Sequence, residues 1–381
     1  MKLESEPMQE KYDSVHHRAF EIAGGGNYEE IANTLTKENL LSDEIERVRE
    51  RYGKALESAK WMTAKDWEML AIMDCYDERT ADHCVETFRI AEDRIDRFKA
   101  GDRKFSKLIE NENVPLAEFF RACLFHDIGK CCIPRSILNN HLSDDDFGNQ
   151  LCHDILRGGK AEILADIENV TGQKFIRMSE NDAPLREYLL ENHIHTMRYV
   201  PAVEMLDKND INIARERFPS IDISKATLAD LLEPHEEASE KILIAEGFEI
   251  AGHIAGRHHN YRKLDMRFPV STEVLGVTIA LEELLALSDI KQALSSKRSY
   301  KNALSTPLIL RNLIVEAERH EISFIITSLW VEQELALISR EESLSFDATS
   351  LLAMDECRNF IKKHSSSVSD FVAPLRERLA A

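Results

Sequence analysis

A chain of 381 residues is long enough for one large domain or two ordinary ones, and its formal net charge of −20 excludes a broad surface that binds a nucleic-acid polymer. With 43% hydrophobic residues and only 14 Gly and 10 Pro, the composition predicts an all-α globular protein. The sequence lacks both a long apolar run and the cationic-then-apolar order of a secretory signal, so we expect no membrane span and a cytoplasmic location.

The amino-terminal region is predicted to be helical. Residues 28–73 carry apolar side chains at three- and four-residue spacing, which indicates amphipathic helices. We therefore assign residues 1–70 to a helical amino-terminal region whose role the sequence does not indicate. The next helical pattern includes residues 115–129, PLAEFFRACLFHDIG, which predict a buried core helix ending at Gly129.

Residues 139–232 differ in character from their surroundings. They are more polar and contain turn-prone stretches such as NNHLSDDD and SENDAP, which indicates an insertion within a helical domain that spans residues 71–330. Long helical patterns return after the insertion, and residues 331–381 are predicted to form a carboxy-terminal helical extension.

The adjacent residues His126 and Asp127 could form part of a metal site. An imidazole binds one divalent cation, and a carboxylate can bridge two. A binuclear site needs about three protein ligands per metal, so roughly four further ligands must come from elsewhere in the chain. The candidates are His83, His235, His258, His259 and Asp289. Each of these taken alone is more often an ordinary surface, core or capping residue.

The order and surroundings of these residues resemble the HD-GYP family, a branch of the HD-domain phosphohydrolases. The matching motifs, which fall within residues 71–330, are D-x-x-T-x-x-H from Asp77, HDIGK-x-x-x-P from His126, H-E-E-x-x-E-x-I-L from His235, the doublet His258-His259, and D-x-x-x-A-L-S-S-x-R-x-Y-K from Asp289. The resemblance implies an HD-domain helical bundle.

The resemblance also implies roles for individual residues. One divalent metal ion would be bound by His83, His126, Asp127 and Asp289, the other by His235, His258 and His259, with Asp127 as the bridge. Lys130 would lie beside the metals and the scissile phosphate, so Asp127 and Lys130 are the implied catalytic residues. Arg298, Tyr300 and Lys301 would bind the substrate. Ligands without thiolate suit iron or manganese and tolerate zinc or nickel.

Three features of the sequence leave questions open. His153, His193 and His195 also lie between the two halves of the site, but His235 is preferred because an acidic pair and Ile-Leu follow it, as in the family. The family reads E-x-x-D-G-x-G-Y-P after the doublet, whereas this chain reads NYRKLDMRFPVS without a glycine, which implies a different loop course. Arg79 stands where some members have a glutamate for a third metal, so we expect two metals.

Family members hydrolyse the cyclic dinucleotide cyclic di-GMP to pGpG or GMP, and the resemblance implies that substrate and reaction here. Two alternatives remain: an HD-type phosphohydrolase that acts on another nucleotide, and a non-enzymatic signalling or scaffold protein that keeps the metal-binding fold. The sequence does not indicate an input signal or an oligomeric state. A homodimer, or a partner protein that binds the insertion, is an open expectation.

Overall fold

The predicted all-α class is confirmed. The computed structural model describes residues 16–19, 27–101, 116–138, 201–204, 206, 208–259, 271–274, 277–295, 304–318, 324–338 and 345–378. Within these ranges the regular structure is helical except for one antiparallel hairpin, in which Ser271–Val274 (β1) pairs with Val277–Ala280 (β2). No helix in the same ranges combines the length and the apolar character needed to cross a membrane.

The described α-helices, in chain order, are α1 (Tyr28–Lys37), α2 (Leu41–Tyr52), α3 (Ala64–Tyr76), α4 (Glu78–Gly101), α5 (Leu116–Phe125), α6 (Arg135–Leu138), α7 (Lys208–Arg217), α8 (Leu228–Leu232), α9 (His235–Ala245), α10 (Glu249–Ala255), α11 (Leu281–Ser295), α12 (Thr306–Glu318), α13 (Phe324–Leu337) and α14 (Ala348–Arg378). Short 3-10 helices span Ile128–Cys132 and Ala202–Glu204.

The chain divides into two compact units. The first consists of Met1–Cys131, His235–Ser296 and Leu304–Ala381, and the second consists of Cys132–Pro234 and Lys297–Ala303. The second unit therefore includes the segment 139–232 that the sequence indicates as an insertion. It has a hydrophobic core of its own, to which Ile133, Ile137, Leu228 and Leu231 belong.

The amino-terminal helices belong to the first unit. Asn27 and Thr63 begin α1 and α3 with capping boxes, in which the side chain and the third helical residue satisfy each other's backbone amides. Every residue of α3 from Met69 to Tyr76 is buried. This helix runs across residue 70, where the sequence suggested a boundary, and α13 likewise runs across residue 331. The described helices on either side of both boundaries therefore form one packed body.

Candidate metal centre

The first unit brings all seven predicted ligands together. His83 lies in the second turn of α4, His126 and Asp127 follow α5, and His235 begins α9. The doublet His258-His259 lies in the turn after α10, and Asp289 lies in the middle of α11. Asp127, His126, His235, His258 and Asp289 are buried, His83 is largely buried, and His259 is exposed.

Asp77 and Thr80, the first residues of the D-x-x-T-x-x-H motif, have a structural role. The backbone N–H and the hydroxyl of Thr80 both donate to Oδ2 of Asp77, at 3.1 and 2.6 Å. Such a contact satisfies free amides at the start of a helix and sets where the helix begins. The start of α4 in turn places His83 opposite α5 and α11.

Helix α5 ends at Phe125, four residues earlier than Gly129, where the sequence predicted its end. His126 and Asp127 form a turn that leads into the 3-10 helix at Ile128. At Gly129 the backbone N–H donates to Oγ of Ser239 over 2.9 Å. A Cβ at Gly129 would lie 2.0 Å from the carbonyl oxygen of His235, so only glycine allows this approach of the turn to α9.

The two oxygens of Asp127 face different histidines. Oδ1 lies 3.1 Å from Nε2 of His235 and 3.6 Å from Nε2 of His258. Oδ2 lies 3.4 Å from Nε2 of His83 and 3.5 Å from Nε2 of His126. A carboxylate in this arrangement can bridge two cations, one on each side.

Further contacts define each side of Asp127. On the side of Oδ2 of Asp127, Oδ1 of Asp289 lies 3.0 Å from Nε2 of His83. The same Nε2 lies 3.2 Å from Nε2 of His126. On the side of Oδ1 of Asp127, the Nε2 atoms of His235 and His258 are 3.3 Å apart. The ring centroid of His259 lies 4.0 Å from that of His258 and 5.3 Å from that of His235.

These residues fit a metal centre. The ligand atoms of His235, His258 and His259 lie within 4.8 Å of one another, and so do those of His83, His126 and Asp127. Oδ1 of Asp127 is buried and accepts no hydrogen bond from the described residues. A buried carboxylate oxygen without a hydrogen bond is costly unless a cation or water contacts it. Clusters of this kind could therefore hold metal ions.

Hydrogen bonds also set the orientation of the imidazoles. Nδ1 of His126 lies 3.0 Å from the carbonyl oxygen of Cys123, and Nδ1 of His258 lies 2.7 Å from that of Ala255. A carbonyl oxygen only accepts, so Nδ1 carries the proton in both rings. The lone pair of each Nε2 is then directed at Asp127 and is available to a metal.

The electrostatics of the centre keep Asp127 ionised. Its burial raises the pKa, but Lys130 and the neighbouring imidazoles of His126, His235 and His258 outweigh burial and hold the pKa of Asp127 well below its ordinary value. Nζ of Lys130 lies 2.5 Å from Oδ2 of Asp127, and this contact raises the pKa of Lys130 even though burial opposes its charge. Burial lowers the pKa of His126 to about 3, so this ring is neutral at physiological pH.

Several predicted residues lie outside the described residues. These are the substrate-binding candidates Arg298, Tyr300 and Lys301, the residues 260–270 of the degenerate loop, and the alternative ligands His153, His193 and His195. Arg79, at the place of the third-metal glutamate, is exposed.

Sequence reasoning missed two residues that contact the cluster. Ser239 binds the turn after Asp127, and Gln292 contacts His83 with Oε1 2.5 Å from Nδ1. The only signal for Gln292 is its spacing, because it lies three residues after Asp289 and therefore on the same face of a helix. Ser239 lies four residues after His235, so these two residues share one face of α9.

Comparison of the chain with protein-family models, with curated proteins and with solved structures gives no match.

Proposed function

We propose that this chain is a metal-dependent phosphodiesterase of the HD-GYP type, which hydrolyses cyclic di-GMP to pGpG or GMP at a binuclear site. The observation that carries the proposal is the position of Asp127, whose two oxygens face different histidines at 3.1 to 3.6 Å. The order of the motifs in the sequence supports the choice of family.

In this proposal the cluster holds two divalent metal ions. One would be held by His83, His126, Asp127 and Asp289, and the other by His235, His258 and His259, with Asp127 shared between them. Imidazole and carboxylate ligands suit iron or manganese and tolerate zinc or nickel. When bound, the ions would neutralise charge on the phosphoryl oxygens and lower the pKa of a water molecule.

The protein side chains would contribute binding and proton transfer. Lys130 is held against Asp127 but keeps 25% of its side chain exposed, so its ammonium group can reach a phosphate that enters from solvent. It would stabilise charge on the leaving ribose oxygen and supply a proton to it. Arg298, Tyr300 and Lys301 would bind the nucleotide, since local cations are needed in a chain with a net charge of −20.

A second candidate function is hydrolysis of another nucleotide by the same centre. It is favoured by residues 260–271, which contain no glycine where the family has a glycine-rich loop. A loop without glycine follows a different backbone course and changes the shape of any pocket beside it.

Metal analysis followed by turnover assays tests the proposal. We expect the purified chain to bind two iron or manganese ions, and the reconstituted protein to convert cyclic di-GMP to pGpG or GMP. A panel of other cyclic and linear nucleotides is assayed in parallel, and turnover on those alone would favour the second candidate. Tight metal binding without turnover on any nucleotide would indicate a non-enzymatic regulator instead.

The variant Asp127→Asn identifies the residue on which the centre depends. We expect it to lose metal from both sides and all turnover, because an amide is a poor bridging ligand. Asp222→Asn is the matched control, since Asp222 is exposed and belongs to the second unit. Full metal content in Asp127→Asn would contradict the proposed bridge.

A further inference from the structure

Helix α11 contacts both nitrogens of the His83 ring. Oδ1 of Asp289 lies 3.0 Å from Nε2, and Oε1 of Gln292 lies 2.5 Å from Nδ1. The two residues are three positions apart and so share one face of the helix. Gln292 is 8% exposed, and its amide is therefore almost fully removed from solvent.

We infer that Gln292 is a positioning residue that sets the tautomer and the ring orientation of His83. Its amide oxygen accepts the proton of Nδ1, so the lone pair of Nε2 is directed at Asp289, Asp127 and His126. The backbone carbonyls of Cys123 and Ala255 do the same for His126 and His258. Among these three acceptors, only Gln292 uses a side chain and can be removed by substitution.

The opposite orientation of the amide is incompatible with a metal ligand at this position. If the NH₂ group donated to Nδ1, the proton of the neutral ring would move to Nε2. That proton would then point at Oδ1 of Asp289 and Nε2 of His126, which are 3.0 and 3.2 Å away, and no lone pair would remain for a cation. Gln292 thus acts through His83 and not by contact with the reacting atoms.

The choice of an amide has a further consequence. A carboxylate at this position would draw the Nδ1 proton towards itself and make Nε2 a stronger donor, whereas a neutral amide orients the ring without this effect. We therefore expect the variant Gln292→Glu to bind metal more tightly than the wild-type chain. The inference rests on the proposed function, because Nε2 needs its lone pair only when a metal is bound.

The test uses the full-length chain with three substitutions. Gln292→Leu removes the acceptor, and Gln292→Glu keeps an acceptor that cannot donate. Gln333→Leu is the matched control, because Gln333 accepts from Arg94 and is not among the residues that contact the His83 ring. The first readout is the ring-nitrogen NMR shifts of His83 in the zinc-loaded chain, with the signal assigned from the variant His83→Ala. Zinc is needed because, without a metal, the carboxylate of Asp289 beside Nε2 favours a proton on that nitrogen. The second is metal affinity, measured by titration with manganese or zinc.

We expect Nδ1 to carry the proton in the wild-type chain, in Gln292→Glu and in Gln333→Leu. In Gln292→Leu this preference should be lost, and metal affinity should fall by about 10- to 100-fold, the usual effect of removing such a partner. A merely structural role would lower stability without moving the proton.

The inference is overturned if the wild-type ring carries its proton on Nε2, or if Gln292→Leu keeps both the Nδ1 proton and the wild-type affinity. If Gln292→Leu does not fold, Gln292→Glu decides, because a proton on Nε2 or a weaker affinity in that variant would equally overturn it. A wild-type chain that binds no metal would remove the proposed function and this inference together, whereas a chain that binds metal and meets one of these conditions would remove only the role of Gln292.

Discussion

Gly129 shows how one small residue determines the geometry of the centre. Its N–H is bound by Ser239, and its Cα faces the carbonyl of His235 so closely that a methyl group would overlap it. The residue thereby joins the turn that carries Asp127 to the helix that begins with His235.

We expect Gly129→Ala to lower the free energy of unfolding by about 1–3 kcal/mol through overpacking, and to lower the metal content as well. Chemical denaturation and metal analysis measure the two effects. The control is Gly247→Ala, two residues after the end of α9, where φ is +89° and nothing lies within 4 Å of an added Cβ. It should lose about 1–2 kcal/mol from backbone strain but keep its metal. Equal metal loss in both variants would refute a specific role for Gly129.

The sequence predicted the seven clustered side chains but neither of their supporting partners. Histidine and aspartate are common metal ligands, so their residue types indicate a metal site. Serine and glutamine form hydrogen bonds in many structural contexts and indicate no particular site. Ser239 lies 110 residues from Gly129, and Gln292 lies 209 residues from His83. Contacts over such separations follow from how helices pack, and a single sequence does not encode them locally.

Helices α1, α2 and α3 contact the helices that carry His83 and His235. Tyr28 on α1 donates to Glu246 just after α9, and Lys65 on α3 lies 2.7 Å from the same carboxylate. On α2, Arg51 and Tyr52 contact Asp82, the residue next to His83. The amino-terminal helices thus contact both the end of α9 and the second turn of α4.

A buried polar network lies between α2, α3 and the residues before α1. Glu44 contacts His16, Arg47 and Cys75, and Arg47 also pairs with Asp74. His16, Glu44 and Cys75 could hold a metal by geometry, but the guanidinium of Arg47 already forms ion pairs with both Glu44 and Asp74. We interpret this network as an ion-pair cluster that stabilises the fold.

This network predicts a pH-dependent contribution to stability. Burial raises the pKa of Glu44, but His16, Arg47 and Cys75 outweigh burial and hold it below its ordinary value of 4.5. A carboxyl group with a lower pKa in the folded state stabilises the fold above pH 4.5, and this stabilisation is lost as the pH falls through the folded-state pKa.

We therefore expect Glu44→Gln to cost on the order of 2 kcal/mol at neutral pH, with the difference from wild type shrinking in acid. Urea unfolding over a series of pH values measures it, with Glu50→Gln on the exposed face of α2 as the control. A difference that stays constant with pH would show that ionisation of Glu44 does not contribute.

The first unit is assembled from distant parts of the chain. Helix α3 is buried along Met69–Tyr76, and a helix with apolar residues on all sides needs neighbours on all sides. Buried residues of the preceding segment, Leu35, Val48, Tyr52 and Leu56, belong to the same unit.

Deletion of residues 1–62 should for this reason abolish cooperative unfolding and metal binding, and not release an independent catalytic core. Circular dichroism during thermal unfolding and metal analysis provide the readouts. A truncated chain that unfolds cooperatively and binds metal would show that the amino-terminal helices are dispensable.

The second unit should be separable from metal binding. The first unit is interrupted after Cys131 and resumes at His235, and the contact of Gly129 with His235 shows that these two points are neighbours. We expect a short Gly-Ser linker in place of residues 133–233 to leave the metal content per chain unchanged. Loss of metal from a folded protein of this kind would mean that the second unit supports the centre.

Composition and apolar spacing by themselves determined the helical class and the approximate places of the helices, because helix formation depends on neighbours three and four residues apart. Residue types and motif order also indicated which side chains belong to the centre. The tertiary structure decided where α5 ends, that the doublet lies in a turn, and that Gln292 and Ser239 contact His83 and Gly129. These features depend on close packing between segments that are far apart in the chain, and that packing forms only when the whole unit folds.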